Sequence, residues 1–488
     1  GAVMSSFASE WPLPAARREA CASRVASSLM GLAKERGMGD GFTEAACNKL
    51  ASEIERSAFT VAQVESQTTT GARPTVQTVQ IYARKCGMLI VERLELAQAG
   101  AAEGEASGGA GEGSLDLTGA REFVTAETAA EMLDPLAKAP GSFTSAKLST
   151  KSFGREAAKV AAQIISQCTS LTKLDLSDVI ASRPEEEALE VLSILSGAIA
   201  GLSLSCLDLS DNALGEKGVR ACQLALRSQA DLQELAFKNV GCSPEACEAI
   251  RDTISCQNTL RKLHLYNNMS DDGGASAIAQ IVRDAPRLED FMMVSSRVKQ
   301  QGGSELAAAM QGKPIVRLDM SDNILGPETA AQLGRSLAAG MPTLTHLNLS
   351  ESCLEDEGVK TLCQGLKGTA PGLVELELAA NEITFRGCMD VARAVAGKAD
   401  LRLLNLRENE LGDKGAVALA AALAASGKLQ RLDLYQNEIQ RAGSLAVVRC
   451  AVDCLPSLRA LDLNANYLPG ACAEQIEAMV EQAFPDKK

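Results

Sequence analysis

The stretch Leu171-Thr-Lys-Leu-Asp-Leu-Ser-Asp-Val-Ile-Ala-Ser-Arg-Pro-Glu-Glu-Glu-Ala-Leu-Glu-Val-Leu192 decides how the rest of the chain is read. It opens on LxxLxL, whose last three positions alternate apolar and polar, the period of a strand with one face buried. The same spacing restarts at Leu204, Leu232, Leu260, Leu288, Ile315, Leu344, Leu373, Leu401, Leu429 and Leu458. Successive restarts lie 27 to 29 residues apart, except the first step of 33, whose excess carries Ser182-Arg183-Pro184-Glu185. A unit of this length cannot bury its apolar face alone and stacks on copies of itself. Extra residues in one copy must leave the stack as a loop, and loops on a rigid scaffold are where function tends to sit.

The second part of each unit, as in Leu411-Gly-Asp-Lys-Gly-Ala-Val-Ala-Leu-Ala-Ala-Ala-Leu, has the spacing of a helix packed behind the strand. The fold class is therefore α/β, with parallel strands side by side and helices on the convex face. The unit of 28–29 residues resembles the ribonuclease-inhibitor type of leucine-rich repeat, which implies a horseshoe solenoid. Aromatic residues make up 3% of a chain that is 46% hydrophobic, so the core is aliphatic.

Four segments are expected along the 488 residues. Residues 1–97 read as a small all-α domain, with an amphipathic run from Ala15 to Arg36 (Ala20, Val25, Leu29 and Leu32 on one face) and further helical runs near Thr43–Gln63 and Thr75–Ala97. Residues 98–114, rich in Gly, Ala and Glu, read as a flexible linker. Residues 115–170 form an N-terminal cap with one degenerate unit around Ala146. Residues 171–488 hold eleven regular units, with Ala471–Phe484 as a closing helix.

Composition narrows the chemistry. The net charge of −14 falls almost wholly after residue 100, since residues 1–100 hold 11 Lys/Arg against 10 Asp/Glu. Nucleic acid is thus an unsuitable partner and a basic protein surface a suitable one. No apolar run reaches the roughly 18 residues of a membrane span, and the start has no basic segment leading into an apolar one, so neither membrane insertion nor secretion is expected. The 15 cysteines are scattered over apolar and helix-face positions, as reduced thiols would be. Cys450 and Cys454 have no partner pair for zinc, and His264 and His346 stand apart from any nucleophile, so neither a metal nor a cofactor nor a catalytic triad is expected.

Counting each unit from its first Leu or Ile, positions 1, 4 and 6 point into the core. Position 9 is an asparagine in seven units (Asn212, Asn268, Asn323, Asn381, Asn409, Asn437, Asn466), placed to satisfy backbone groups inside the turn. Position 8 is expected to face solvent at the strand's end. Five units have an acid there, Asp178, Asp211, Asp322, Glu351 and Glu408, and two have Asn239 and Asn267. The acids are either a solvated rim or a strip for a basic partner. The unit of Asn239 has Val240 at position 9, so an exposed amide stands beside the place where a buried one is missing. The first unit also lacks its position 9 amide, having Val179, and carries the Arg183 loop. At roughly 4.8 Å per strand, Arg183 and Asn239 stand about 10 Å apart on one rim, within reach of one ligand.

Two resemblances cover nearly the whole chain. Trp11-Pro12 ahead of Arg17-Arg18-Glu19-Ala20, with Glu53-Ile54-Glu55-Arg56-Ser57-Ala58-Phe59 and Val79-Gln80-Ile81-Tyr82-Ala83-Arg84, resembles the WPP domain of plants and green algae, with Leu13 where the motif has proline. That resemblance implies docking on coiled-coil anchors at the nuclear envelope; Trp11 is either a core plug or, with Pro12, part of the docking surface. The inserted loop in Leu174-Asp-Leu-Ser-Asp-Val-Ile-Ala-Ser-Arg-Pro-Glu, followed by Leu207-Asp-Leu-Ser-Asp-Asn, Leu263-His-Leu-Tyr-Asn-Asn-Met and Leu288-Glu-Asp-Phe, resembles the plant-type Ran GTPase-activating proteins. The family's loop arginine matches Arg183. Its catalytic asparagine, in Leu-x-Leu-x-Asn-x-Gly, matches Asn239 in Leu235-Ala-Phe-Lys-Asn-Val-Gly241, with Phe237 for the second leucine. The resemblance implies an activator acting in trans on Ran-GTP, without an active site of its own, by positioning the GTPase's glutamine. It further implies a role in nucleocytoplasmic transport, a Ran-binding protein as a further partner, and a place in the cytoplasm at the outer face of the nuclear envelope. A non-catalytic binding scaffold fits the same spacing.

Overall fold

The computed structural model describes residues 15–35, 47–48, 50–52, 54–55 and 113–483. Two compact units divide the chain, Gly1–Gly111 and Glu112–Lys488. In the first, Ala15–Glu35 is a helix that buries Val25, Ala26 and Leu29. Ala20, expected on that face, is exposed. It lies five residues from Val25, and five residues turn a helix by roughly 140°, off the apolar stripe. Cys47, Ala51 and Ile54 are buried with the spacing of a second helix face, and Arg18 ties the two pieces by a two-toothed ion pair to Glu55 at 2.7 and 2.9 Å. Trp11, Pro12, the run Thr75–Ala97 and most of the linker lie outside the described residues.

The second unit is built on a parallel sheet of thirteen strands in the order β1 (Ser114–Asp116), β3 (Ser145–Lys147), β5 (Lys173–Asp175), β6 (Cys206–Asp208), β7 (Glu234–Lys238), β8 (Lys262–Tyr266), β9 (Asp290–Val294), β10 (Arg317–Asp319), β11 (His346–Asn348), β12 (Glu375–Glu377), β13 (Leu403–Asn405), β14 (Arg431–Asp433) and β15 (Ala460–Asp462). Parallel neighbours need a crossover, and a helix supplies it in each repeat, from Glu185–Ile199 behind β5 to the closing helix Gly470–Ala483. This is a leucine-rich-repeat solenoid. Two strands of this sheet precede Leu171 where the sequence suggested one degenerate unit, because Leu115-Asp-Leu117 keeps the alternation of a strand without the leading leucine of LxxLxL. A separate two-stranded ladder joins β2 (Glu122–Val124) to β4 (Lys151–Phe153) on the loops that follow β1 and β3.

The core runs the length of the stack on positions 1, 4 and 6; in the unit of β7 these are Leu232, Leu235 and Phe237, all buried. The position 9 asparagines bind neighbouring units together. Asn268 Oδ1 accepts from the backbone N–H groups of Val240 (3.2 Å) and Cys242 (3.0 Å), while its Nδ2 donates to the carbonyl of Phe237 at 2.8 Å. Each such amide satisfies buried polar groups that would otherwise cost about 1–3 kcal/mol apiece. Val240 has no amide to offer, and its backbone carbonyl accepts instead from the N–H groups of Leu214 and Gly215, both at 3.1 Å. The ladder thus crosses the irregular unit without slipping, which keeps Asn239 in register with the other position 8 residues.

Candidate functional site

Asn239 follows β7, and its side chain is exposed while Val240 beside it is buried. Its backbone is left-handed, φ 54°, and so is every position 8 residue of the eleven units, with φ between 48° and 59°. Aspartate and asparagine are the L-residues most at ease in that conformation, so the Asp and Asn residues of this row have a backbone reason to be there apart from any partner. Glu351 and Glu408 have no such reason. The Asn239 amide is held on both sides. Its Nδ2 donates to Asp211 Oδ1 at 3.1 Å, and its Oδ1 accepts from Asn267 Nδ2 at 3.0 Å. An amide has two N–H donors and two lone pairs, so one of each remains toward solvent.

The acidic strip is less uniform than expected. Asp178 is buried, not solvent-facing, because Arg121 of the cap grips its Oδ2 at 2.9 and 2.7 Å. Asp322 accepts from Ser295 Oγ at 2.6 Å, and Glu408 is paired with Arg407, whose guanidinium lies over Tyr435. Asp211 is exposed as a residue, yet burial of its carboxyl raises its pKa, with a smaller push from Asp178 and Asp208 and a counter-pull from the Asn239 bond and Lys238.

Arg183 lies in the inserted loop, after Ser182, which is itself left-handed (φ 60°). Its Nε donates to Ser152 Oγ at 3.0 Å and a terminal nitrogen to the Ser152 carbonyl at 2.7 Å; the Ser152 hydroxyl in turn donates a hydrogen bond to the Ala181 carbonyl. Glu187 lies 3.5 Å away, and the guanidinium covers the exposed ring of Phe123 at 5.0 Å. A side chain at Gly154 would press on Arg183 at 3.1 Å, so this glycine leaves room for it. These contacts all belong to the cap side of its unit or to its own helix, whereas Asn239 bonds to Asp211 and Asn267. Asn239 directly follows β7, whereas Arg183 stands just before the helix Glu185–Ile199, and no described contact joins them.

One row escaped the sequence reading. Position 5 pairs strand to strand across the open face of the sheet, Asp175, Asp208, Ala236, His264, Met292, Asp319, Asn348, Glu377, Asn405, Asp433 and Asp462. Burial raises the pKa of Asp175, Asp319 and Glu377, and amides of the next strand answer two of them, Asn348 to Asp319 at 3.2 Å and Asn405 to Glu377 at 3.1 Å. The recurring Leu-Asp-Leu was the visible signal. None of the described cysteines is in a disulfide, and burial pushes the thiols of Cys222 and Cys388 up to about 12, which leaves them protonated and unreactive.

Comparison with known proteins agrees with this architecture. A family model described as "Leucine Rich repeat" matches residues 202–221, 340–363 and 398–420. RAN GTPase-activating protein 1 of Arabidopsis thaliana is 41% identical over 187 residues, 38% of this chain and 35% of that protein. RAN GTPase-activating protein 2 of the same organism is 46% identical over 164 residues, 32% of this chain and 30% of that protein. The ribonuclease inhibitor of Sus scrofa is 29% identical over 238 residues, 42% of this chain and 52% of that protein. The chain therefore spans about a third of the length of the two plant relatives it matches, and its homology to proteins named as Ran GTPase activators is confined to that share.

Proposed function

We propose that the chain is a GTPase-activating protein for Ran. The observation that carries this reading is the outward amide of Asn239, steadied on both sides and left with one donor and one acceptor toward solvent. Homology to two proteins named Ran GTPase activators supports it. A GTPase alone is slow because its own glutamine holds the attacking water loosely. Asn239 would hydrogen-bond that glutamine and fix it against the water. Arg183 is already committed to Ser152, Glu187 and Phe123, which suits a residue that braces the loop against Ran's switch segments better than one that reaches into the nucleotide. Asp211, Asn267, Asp322, Glu351 and Glu408 line the rim on which Ran would lie, a Ran-binding protein joining as a further partner. The N-terminal unit would hold the activator on coiled-coil anchors at the outer face of the nuclear envelope, in support of nucleocytoplasmic transport.

The test is single-turnover GTP hydrolysis on purified Ran. The full chain accelerates hydrolysis, and Asn239→Ala loses on the order of 100-fold of that acceleration, the scale of one positioned transition-state hydrogen bond, while the complex still forms. The match to a ribonuclease inhibitor favours a second reading, a scaffold that grips a protein without chemistry. Binding of Ran without any acceleration by the wild-type chain decides for that one.

A further inference from the structure

We infer that Asp211 is a positioning residue that dictates which way round the Asn239 amide faces, through the hydrogen-bonded chain Asp211–Asn239–Asn267. The inference rests on the proposed role of Asn239 for its functional meaning, and on hydrogen-bond chemistry alone for its geometry. An asparagine has two ends of equal shape and opposite polarity, and a half-turn about its last bond exchanges them. An ionised carboxylate has no proton to give. With Asp211 Oδ1 at 3.1 Å, the end that Asn239 turns to it must be Nδ2, and a half-turn would set two oxygens against each other. The Asn239 carbonyl is thereby turned to Asn267, which must answer with its own Nδ2, at 3.0 Å. The order stops there, because Ser295, next in the row, gives its proton the other way, to Asp322. One carboxylate thus orients two amides, and the donor and acceptor that Asn239 shows to a partner follow from it.

Burial makes this charge costly to keep. Asp178 and Asp208 disfavour a charge on Asp211, Lys238 and the Asn239 bond favour it, and burial outweighs them, so its carboxyl titrates above the usual aspartate range. Arg121 of the cap is spent on Asp178. A folded-state pKa raised in this way means that the ionised form weakens the fold as pH rises through it. Asp211→Asn should therefore be no less stable at neutral pH, and asparagine is equally at ease at φ 57°. What it removes is direction, since an amide at 211 can both donate and accept.

The experiment has two arms on the full chain. Without Ran, the side-chain amide signals of Asn239, identified by their absence in Asn239→Ala, are followed by NMR against pH in an asparagine-labelled sample. They are expected to shift as Asp211 titrates and to stay flat in Asp211→Asn; the same titration in both proteins overturns the inference. With Ran·GTP in single turnover, Asp211→Asn lowers the maximal rate at saturating activator about tenfold, the worth of one net hydrogen bond, beyond any change in half-saturation from the loss of a rim charge. Asp211→Glu, which keeps the acceptor-only group, recovers it. An unchanged maximal rate, or a change in half-saturation alone, overturns the positioning role. If the wild-type chain does not accelerate Ran at all, the proposed function fails, and the first arm still decides whether Asp211 orients the amide.

Discussion

Arg121 and Asp178 show how a single residue can leave its row. Asp178 has the left-handed backbone of its ten counterparts, yet its carboxyl is closed over by a guanidinium 57 positions earlier in the chain. Removing one member of such a pair costs more than removing both, because the survivor is left without its partner. Arg121→Ala is expected to destabilise the cap by about 1–3 kcal/mol, seen as faster amide hydrogen exchange across residues 113–180. Adding Asp178→Asn to Arg121→Ala should restore most of that protection, since asparagine keeps the backbone conformation and carries no charge. Equal exchange in Arg121→Ala and the parent would show that the pair contributes nothing.

Strands and turns are the scale at which the sequence was most legible, and the limits of that legibility have physical reasons. LxxLxL announced β5 to β15 because period-two burial is local, and the displaced amide at Asn239 was visible because Val240 stood where asparagine recurs. The strand β1 was not visible, since Leu115-Asp-Leu117 is too short a pattern to stand out alone. Nor could the sequence give the burial of Asp178, which depends on a cap residue with no local mark. The position 5 row was in plain sight as Leu-Asp-Leu but was read only as alternation. Its carboxyls make a prediction at this scale. Burial raises Asp319 above 3.8, so the folded chain holds that proton to higher pH than the unfolded one. Its contribution to stability is complete below 3.8 and is lost as pH rises through the raised value. Asp319→Asn should therefore flatten the pH dependence of the denaturation midpoint between 3.8 and the raised value and raise the midpoint, or leave it unchanged, at pH 7; a lower midpoint at pH 7 would show that Ser321 and Asn348 need the charge more than burial penalises it.

For the molecule as a whole, the charge of −14 and its concentration after residue 100 set the terms of encounter with a partner. Exposed charges steer approach within a Debye length and contribute little once contact is made. Raising salt from about 50 to about 300 mM should lower the association rate with the proposed partner, Ran, by about tenfold or more if it offers a basic face, with a much smaller change in dissociation; insensitivity of association to salt would remove the acidic surface from the account. The recurrent left-handed turn after each strand has a consequence of its own. It already accommodates aspartate, asparagine, serine, glutamate, alanine and glutamine at eleven successive rungs. Asp178 apart, which the cap holds, that line tolerates varied unbranched side chains, so a new recognition surface can be composed rung by rung, at intervals of about 4.8 Å, without renegotiating the core beneath.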